Sequence, residues 1–543
     1  MTGNSSDAYD FPLIIRHLLH TPLITRPDQP IVYADRFRYN YRRLNERIHR
    51  LANALETMGV GAGDTVAMMD WDSHRYLECF FGVPMMGAVL HTINVRLSPD
   101  QILYTINHAE DALILAHAEF MPMLSQIRSR FERDIPIVLL RDDQGPADTD
   151  ISPAAEYEDA LNAAASDYSF EDFDERTRAT TFYTTGTTGD PKGVFYSHRQ
   201  LVLHTLGAMA ALGSSADHGR FHRDDVYMPI TPMFHVHAWG LPYVASVMGV
   251  KQVYPGRYDP ETVLKLIHDE GVTFSHCVPT ILHMLLSHPF AKQVDLSRWK
   301  VVIGGSALPQ GLARRALDLG IDILGGYGLS ETCPILVLAQ LEPSMLEKSP
   351  EDQLYYRCKA GRPLPLVELR IADENMNALP NDGETTGEVV VRAPWLTQGY
   401  LKNKETSAAL WRGGYLHTGD IGHIDAEGYL KVTDRLKDVI KSGGEWVSSI
   451  LLEDLVSQLP HVSEVAAIGI PDERWGERPM LLVVSRDGKS ISSNDVITHL
   501  AQFVDQGVIE KWAVPDRVDI VKAIDKTSVG KIDKKKLRAR YGG

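Results

Sequence analysis

The sequence predicts an α/β protein with a mainly β subdomain and a small C-terminal domain. Over the first two-thirds of the 543 residues, short β-branched runs alternate with stretches of helical period, which is typical of α/β architecture. Across residues 368–430 the pattern changes to strands separated by Gly, Asp and Asn turns, which indicates a mainly β subdomain. A charged segment that starts at Asp434 then leads into strand–helix–strand patterning. We therefore expect two domains, residues 1–433 and 434–543.

The order of elements follows from the periodicity. Alternating β-branched and Gly-bounded runs predict strands, and apolar spacing of three and four residues predicts helices. The predicted strands are Thr65–Met69, Leu113–Ala116, Ile137–Leu140, Thr180–Tyr183, Val272–His276, Lys300–Ile303, Ile321–Leu324, Gly387–Arg392 and Gly428–Thr433, and the predicted helices include Asn45–Met58 and Pro309–Leu319.

Composition excludes several classes of protein. With 44% hydrophobic and 23% charged residues, the chain has the usage of an ordinary globular protein. Its four cysteines include no Cys-x-x-Cys pair, which excludes a disulfide scaffold and a thiolate zinc cluster. A net charge of −16 argues against nucleic acid as a partner. No apolar run reaches the roughly 18 residues of a membrane span, and the polar, acidic start does not resemble a secretory signal. We expect a cytoplasmic protein without an integral membrane segment.

The most informative segment is YTTGTTGDPKGV at residues 183–194. Glycines let a backbone approach phosphate oxygens closely, and successive N–H groups, threonine hydroxyls and one lysine then supply donors. The residues that carry this argument are Thr184, Thr185, Gly186, Thr187, Thr188, Gly189 and Lys192. A plain Gly/Thr-rich surface turn is the alternative. A Walker A loop is disfavoured because Lys192 is followed by Gly193 and not by Ser or Thr.

Four further motifs carry polar groups at loops. GGYGLSE at 325–331 ends in Glu331, a carboxylate that would favour a divalent cation beside a polyphosphate. GGSALP at 304–309 opens a predicted helix, and YLHTGD at 415–420 places Asp420 after a tight turn. KTSVGK at 526–531 places Lys531 on a Gly-containing loop before a basic helix. Each has a simpler interpretation alone, such as a solvated acid or a solvated basic helix face.

In this order the motifs resemble those of the adenylate-forming superfamily, which includes acyl-CoA synthetases, luciferases and peptide-synthetase adenylation domains. The resemblance implies a large domain of doubly wound α/β subdomains with a β-barrel-like subdomain, and a small, mobile α+β domain that swivels about Asp434. It implies that the phosphate loop and Lys192 bind ATP, that Thr184 and Glu331 hold Mg²⁺, and that Lys531 neutralises the acid carboxylate and the α-phosphate. Other residues that it assigns to the nucleotide site are Gly305, Ser306, Gly326, Tyr327, Ser330, Asp420 and Arg435. One departure is Asp525, where the family often has proline.

The same resemblance implies a second step in which CoA attacks the acyl-adenylate. KSGGEW at 441–446 is similar to the loop that serves this step, with Gly443 and Gly444 beside the pantetheine arm. Lys437, Lys441 and Trp446 would close over the nucleotide. A homodimer is implied by the resemblance to fatty-acyl-CoA synthetases, and not by any residue.

The segment PMFHVHAWG at 232–240 is expected to form the acyl pocket, with His235, His237, Trp239 and Gly240 as substrate-binding residues. Two histidines at i and i+2 without a third ligand favour packing over metal binding. The sequences of these motifs are most similar to those of bacterial medium- and long-chain fatty-acid–CoA ligases. Three alternatives stay open. Two keep the activation of an acid: activation of 3-methylthiopropanoate, and acyl transfer to a carrier protein. The third is a non-catalytic nucleotide-binding regulator. A luciferase-like oxygenase is a more distant possibility.

Overall fold

The computed structural model describes residues 7–143, 149–184, 190–442, 445–486, 489–527 and 531–542, with only the backbone for residues 445 and 446. Four sheets and the helices around them make up the fold. The first two sheets form the α/β part of the chain, the third is the predicted β region, and the fourth belongs to the small C-terminal unit. The predicted α/β class is confirmed.

The first sheet has seven strands, parallel except for the last pair. In spatial order they are Ala155–Glu156, Ile137–Leu140, Asp111–His117, Thr65–Met69, Val89–Thr92, Arg178–Thr184 and Lys192–Ser197. The last two strands pair antiparallel, with Thr184 opposite Lys192. Thr184 and Lys192, which belong to the phosphate-loop motif, therefore lie opposite each other in one sheet.

The second sheet has nine strands, with a parallel centre and antiparallel edges. In spatial order they are Arg362–Pro363, Ile335–Leu338, Asp322–Gly328, Lys300–Ile303, Phe274–Cys277, Val226–Pro229, Lys251–Tyr254, Pro30–Tyr33 and Phe37–Asn40. The glycines at 325–328 lie inside a strand, whereas the sequence predicted that they follow one. Because Ile335–Leu338 pairs with them antiparallel, the strand continues beyond its apolar run.

The third sheet is antiparallel and has five strands, Glu368–Ala372, Gly387–Arg392, Tyr415–Ile424, Trp411–Arg412 and Leu430–Arg435. The predicted strand at 428–433 is two residues too early, because Gly428 has a φ of +83° and belongs to the preceding turn. The region is also not wholly β, since Asn403 caps the helix Lys404–Leu410 by accepting from the Thr406 N–H.

The fourth sheet contains Glu445–Val447, Ile440–Ser442, Gly476–Ser485, Val462–Asp472 and Arg517–Ile520. Its own apolar core includes Ile440, Leu452, Leu481 and Val496, which are all buried. The predicted boundary between residues 433 and 434 stays a prediction. The last strand of the third sheet runs through Arg435.

Helices cover both faces of the two large sheets. The α-helices of the large part are His20–Thr25, Tyr41–Thr57, His74–Met85, Pro99–Ala109, Met121–Ile127, Tyr157–Ala163, His198–Ser214, Leu241–Met248, Pro260–Glu270, Pro279–Ser287, Gln310–Asp318, Pro343–Leu346, Pro350–Arg357 and Lys404–Leu410; those after residue 440 are Ser449–Ser457, Ser493–Asp505 and Lys534–Tyr541. Short 3₁₀ turns are Ile15–Leu19, Ala118–Phe120, Arg128–Arg130, Pro289–Gln293, Ser330–Thr332 and Lys511–Ala513.

Local sequence signals set the helix starts. Asn40 accepts a hydrogen bond from the Arg43 N–H at 3.0 Å, so the helix predicted from Asn45 begins at Tyr41. Ser197 and Gln200 form a capping box, in which each side chain bonds the backbone N–H of the other, at the start of His198–Ser214. Tyr41–Thr57 then packs on the helices His74–Met85 and Tyr157–Ala163, and His198–Ser214 packs on the helix Leu241–Met248 and on the strand Lys192–Ser197 of the first sheet.

Candidate active site

A cavity of about 990 Å³ lies between the two large sheets, the third sheet and the small C-terminal unit. It opens at the carboxyl ends of Lys300–Ile303 and Arg178–Thr184, where loops follow the parallel strands. Crevices at the carboxyl ends of strands are the usual ligand sites of open α/β sheets. Side chains of both domains line the cavity, including Glu331 and Asp420 from the large part and Lys531 from the small one.

One wall of the cavity carries the trio Asp420, Tyr327 and Arg435. The Tyr327 hydroxyl donates to Asp420 Oδ2 at 2.7 Å, and Arg435 Nε lies 3.2 Å from Asp420 Oδ1. Asp420 is only 3% exposed, and this burial raises the pKa of its carboxyl while Arg435 opposes the rise. Asp420 and Arg435 are also register partners in neighbouring strands. Tyr327 and Arg435 thus hold the Asp420 carboxylate at the cavity edge, and the Arg435 guanidinium balances its charge.

A second group lies around Tyr400. Its hydroxyl donates to Glu331 Oε1 at 2.7 Å, and the Lys192 ammonium lies 5.0 Å from the centre of its ring. Burial and the Glu331 charge raise the pKa of Tyr400, so its phenol stays a donor. Thr184 lies opposite Lys192 in the strand pair and lines the same cavity. The structure therefore brings Thr184, Lys192 and Glu331 together, as the motifs predicted.

Lys531 reaches the cavity from the small unit. A methyl group built on Gly305 would lie 3.1 Å from Lys531 Cε and 3.1 Å from Val278 Cγ1. The Lys531 backbone is held by Thr527, whose N–H donates to its carbonyl at 2.7 Å and whose Oγ1 accepts from its N–H at 3.2 Å. Burial, with the nearby Arg435, lowers the pKa of Lys531 to about 8.

The remaining predicted nucleotide-site residues also line the cavity. Gly305 and Ser306 follow the strand Lys300–Ile303, whereas Gly326 and Tyr327 lie within Asp322–Gly328. Ser330 lines it too, and its carbonyl accepts from the buried Tyr196 hydroxyl at 2.5 Å. Thr185, Gly186, Thr187, Thr188, Gly189, Gly443, Gly444, Gly530 and the Trp446 side chain lie outside the described residues.

The two predicted lysines near the hinge differ in position. Lys437 lines the cavity, and burial lowers its pKa. Lys441 is exposed in the pair of strands Ile440–Ser442 and Glu445–Val447, and its N–H donates to Glu477 Oε2 at 3.0 Å. In this orientation the small domain presents Lys531 to the site and keeps Lys441 away from it.

The predicted acyl-pocket segment contains a left-handed turn. Val236, His237, Ala238 and Trp239 have φ between +48° and +59°, and Gly240 follows at +71°. Left-handed backbone costs roughly 1–2 kcal/mol for each residue with a side chain. The turn places the Trp239 ring 5.0 Å from that of His276, centre to centre. Trp239 lines both the main cavity and a second cavity of about 20 Å³ behind it.

The two predicted histidines have different surroundings. His235 lines both cavities, and burial together with Lys531 lowers its pKa to about 3. His237 is fully buried among aromatic rings and does not line either described cavity, and nor does Gly240, whose α-carbon faces His204. The direct substrate-contact role predicted for His237 and Gly240 therefore has no support in these positions. Their packing holds the turn that carries Trp239.

Sequence reasoning missed two site residues. Tyr400 connects Glu331 to Lys192 through the contacts given above, but it lies in an unremarkable TQGYLKN segment. Arg96 lines the small cavity beside Trp239 and Lys531, although the acyl-pocket segments themselves contain no such arginine. Neither position carries a motif that could have indicated it, because each is brought in by distant parts of the chain.

Two kinds of feature are absent from the described residues. No cluster of three or more His, Cys, Asp or Glu side chains there could hold a metal ion by itself. Within the same residues, no helix is long and apolar enough to cross a membrane.

Comparison with known proteins defines the class first. The AMP-binding enzyme model matches residues 23–401, and the AMP-binding enzyme C-terminal domain model matches residues 451–531. The chain belongs to the AMP-binding enzyme family. An anthranilate–CoA ligase solved with anthranoyl-AMP has the same fold, with a TM-score of 0.86 and 24% identity over 98% of each chain. The predicted adenylate-forming superfamily and fold are thereby confirmed.

Particular relatives narrow the class. A long-chain-fatty-acid–CoA ligase of Thermus thermophilus is 41% identical over 93% of this chain and 90% of its own length. A 3-methylmercaptopropionyl-CoA ligase of Ruegeria pomeroyi is 37% identical over 92% of each protein. A fatty acyl CoA synthetase structure from Mycobacterium tuberculosis is 27% identical, with a TM-score of 0.70 over 98% of each chain. The predicted enzyme class, an AMP-forming acid–CoA ligase, is confirmed.

Proposed function

We propose that this chain joins a medium- or long-chain fatty acid to CoA, with ATP converted to AMP and diphosphate. The observation that carries the proposal is the convergence of Lys531, Glu331 and Asp420 on one cavity from separate parts of the chain. Relatives named as long-chain and 3-methylmercaptopropionyl-CoA ligases support the acid and thiol substrates.

In the first step, a carboxylate oxygen of the acid attacks the α-phosphorus of ATP, and the bond to diphosphate breaks. Negative charge collects in the transition state, so the protein assists chiefly with placed cations and oriented donors. Lys531 is the cation at the acid carboxylate and the α-phosphate, and Lys192 serves the outer phosphates. Asp420, which is held in place by Tyr327 and Arg435, accepts hydrogen bonds from the ribose hydroxyls. Tyr327 would stack on the adenine, with Gly305, Ser306 and Gly326 around it, and Ser330 would contact phosphate.

Mg²⁺ fits the donor set of this cavity. It prefers oxygen ligands and is usually held by one or two carboxylates together with substrate phosphates. Glu331 and Thr184 offer one carboxylate and one hydroxyl, and the Tyr400 hydroxyl orients the carboxylate through Oε1. When bound, the ion would neutralise phosphate charge.

In the second step, the CoA thiol attacks the acyl carbon, and AMP leaves. Lys441, at the start of the segment 441–446 proposed for this step, is exposed and does not line the cavity in the present orientation. We infer that the small domain swivels about Asp434 between the two steps. Asp434 accepts from the Ser449 N–H at 2.6 Å and from the Arg435 N–H at 2.7 Å, so it bonds both the last residue of the third-sheet strand Leu430–Arg435 and the first residue of the helix Ser449–Ser457.

A second candidate acid, 3-methylthiopropanoate, is favoured by one specific observation. The space behind Trp239 measures about 20 Å³, which is close to the volume that a single water occupies. An acid that stops at Trp239 needs no change there, whereas a long chain requires the indole to move. A Ruegeria relative named for that short acid shares 37% identity with this chain.

The deciding experiment supplies ATP, Mg²⁺ and CoA with straight-chain acids of graded length and with 3-methylthiopropanoate. AMP and thioester are then quantified. We expect equal amounts of both products and a maximum at medium or long chains. A maximum at the thioether acid would establish the second candidate. Acid-dependent ADP without AMP would overturn both, and turnover only with an added carrier protein would establish acyl transfer to that carrier.

We further propose a cytoplasmic homodimer. The dimer rests on resemblance to fatty-acyl-CoA synthetases alone. Sedimentation equilibrium at several protein concentrations tests it, and a single mass near 60.5 kDa at all of them would contradict it. Fractionation of the source cells tests the location.

A further inference from the structure

Three basic side chains from the two domains line the main cavity and have no role in the ATP site proposed above. Arg315 and His283 lie on two helices of the large domain, Gln310–Asp318 and Pro279–Ser287. Arg486 follows the strand Gly476–Ser485 of the small domain. All three line the interdomain part of the main cavity.

The two arginines are held by neutral acceptors. Arg315 donates to Ser287 Oγ at 3.2 Å and to the Leu286 carbonyl, and Arg486 Nε donates to the Val462 carbonyl at 2.9 Å. Neither forms an ion pair with a carboxylate among the residues that the structure describes. Both are half-buried, so part of each guanidinium faces the cleft. Their positions are set, and no carboxylate in the described part of the chain forms an ion pair with either arginine.

Neighbouring carboxylates do not cancel the positive charge of the two arginines. Glu464, the carboxylate in this part of the lining, is paired with Lys526 at 2.7 Å. Asp454 is held by Gln310, whose N–H and Nε2 donate to its two oxygens at 2.9 and 3.2 Å. Burial lowers the pKa of Arg315, and repulsion from the nearby Arg486 acts in the same direction. Such repulsion opposes closure unless an anion lies between them.

We propose that Arg315 and Arg486 bind a phosphate group between the two domains and thereby stabilise the orientation that places Lys531 in the active site. Arginine forks match phosphate oxygens in geometry and charge. Free phosphate, the diphosphate released in the first step and the 3′-phosphate of CoA share this chemistry. A bound phosphate favours the adenylation orientation, and its release favours the swivel toward thioester formation.

Direct binding tests the site independently of the proposed reaction. The enzyme is saturated with α,β-methylene-ATP, so that the nucleotide phosphate site is filled, and is then titrated calorimetrically with inorganic phosphate or diphosphate. We expect one further site, weakened at least about 10-fold in both Arg315→Gln and Arg486→Gln. Arg314→Gln is the matched control, because Arg314 is exposed and pairs with Glu351 on the helix beside it. Arg315→Lys and Arg486→Lys check that charge and not folding is responsible.

The kinetic arm rests on the proposed function. With inorganic phosphate present, which is not a product of either step, the adenylation half-reaction is expected to rise and thioester formation from preformed acyl-adenylate to fall, each by about 5-fold or more. Dephospho-CoA in place of CoA separates the CoA source from free phosphate. Absence of any additional binding, or equal binding in both arginine variants and the control, overturns the site. If binding is seen but no AMP is ever formed, the proposed function fails while the site stands.

Discussion

Gly305 and Lys531 lie in direct contact, although they belong to different domains. The position where a side chain at residue 305 would project is occupied by the Lys531 side chain, with Cε 3.1 Å from an added methyl group. Gly305 also has a φ of +79°. The absence of a side chain there is therefore what lets the lysine enter the cavity.

Gly305→Ala is expected to displace Lys531 by less than 1 Å and to slow adenylation by about 10-fold, since a full 1 Å misplacement can cost about 100-fold. Thioester formation from preformed acyl-adenylate should change little, because that step uses another face of the small domain. Single-turnover assays of each half-reaction measure this. Gly271→Ala is the control, with a φ of +67° but nothing within 4 Å of the added methyl. Equal losses in both variants would point to backbone strain alone.

Adenylation is expected to fall as pH rises through about 8. Burial and Arg435 lower the pKa of Lys531 to about 8, and only its charged form neutralises the acid and the phosphate. Because kcat/KM reports the free enzyme, the decline should appear in kcat/KM for ATP in the first half-reaction. Lys531→Arg should move the decline to higher pH. An unchanged profile in that variant would assign the titration to another group.

Asp420→Asn should raise KM for ATP by about 10-fold, since hydrogen bonds to a charged acceptor contribute roughly 1.5–3 kcal/mol. The unmodified enzyme should lose a similar factor with 3′-deoxy-ATP. For Asp420→Asn, KM should rise little further with 3′-deoxy-ATP, because the hydrogen bond between residue 420 and the 3′-hydroxyl is already weakened. Additive losses would show that Asp420 does not contact the ribose.

Tyr400→Phe removes the hydroxyl that bonds Glu331 at 2.7 Å but keeps the ring next to Lys192. Residues that orient metal ligands typically affect metal affinity by 10–100-fold. We expect the Mg²⁺ concentration for half-maximal adenylation to rise by about 10-fold, with near-normal rates at saturation. Glu331→Gln should lower the saturated rate itself. A Tyr400→Phe enzyme with an unaltered Mg²⁺ requirement would remove the tyrosine from this role.

Trp239→Ala is expected to move the preferred acid toward longer chains by joining the main cavity to the small one behind it. Thioester formation across the acid series measures the shift. Trp411→Ala, in the third sheet and outside both cavities, is the control. A uniform loss at every chain length would indicate damaged packing around the left-handed turn instead.

The sequence predicted the large features well, because periodicity and motif order depend on neighbouring residues. The strands at Thr65–Met69, Ile137–Leu140, Lys300–Ile303 and Gly387–Arg392 have the predicted bounds. Errors arose where the backbone depends on distant partners. The strand at 322–328 continues through its glycines because Ile335–Leu338 lies beside it, which no local pattern encodes.

The same reason limited the site prediction. Thr184, Lys192, Glu331 and Asp420 could be named because each lies in a recognisable motif. Tyr400 and Arg486 could not, since each gains its place only from packing between distant segments. The left-handed turn at 236–239 was also invisible, because the residues VHAW have no preference for positive φ.

The pairing of Asp420 with Arg435 has a consequence for how the enzyme handles a reactive intermediate. Both residues belong to adjoining strands of the third sheet, on the large-domain side of the hinge bonds at Ser449. A nucleotide anchored there stays in place when the small domain turns. In the proposed two-step reaction, the acyl-adenylate therefore stays bound at one position while Lys531 and then the segment 441–446 reach it.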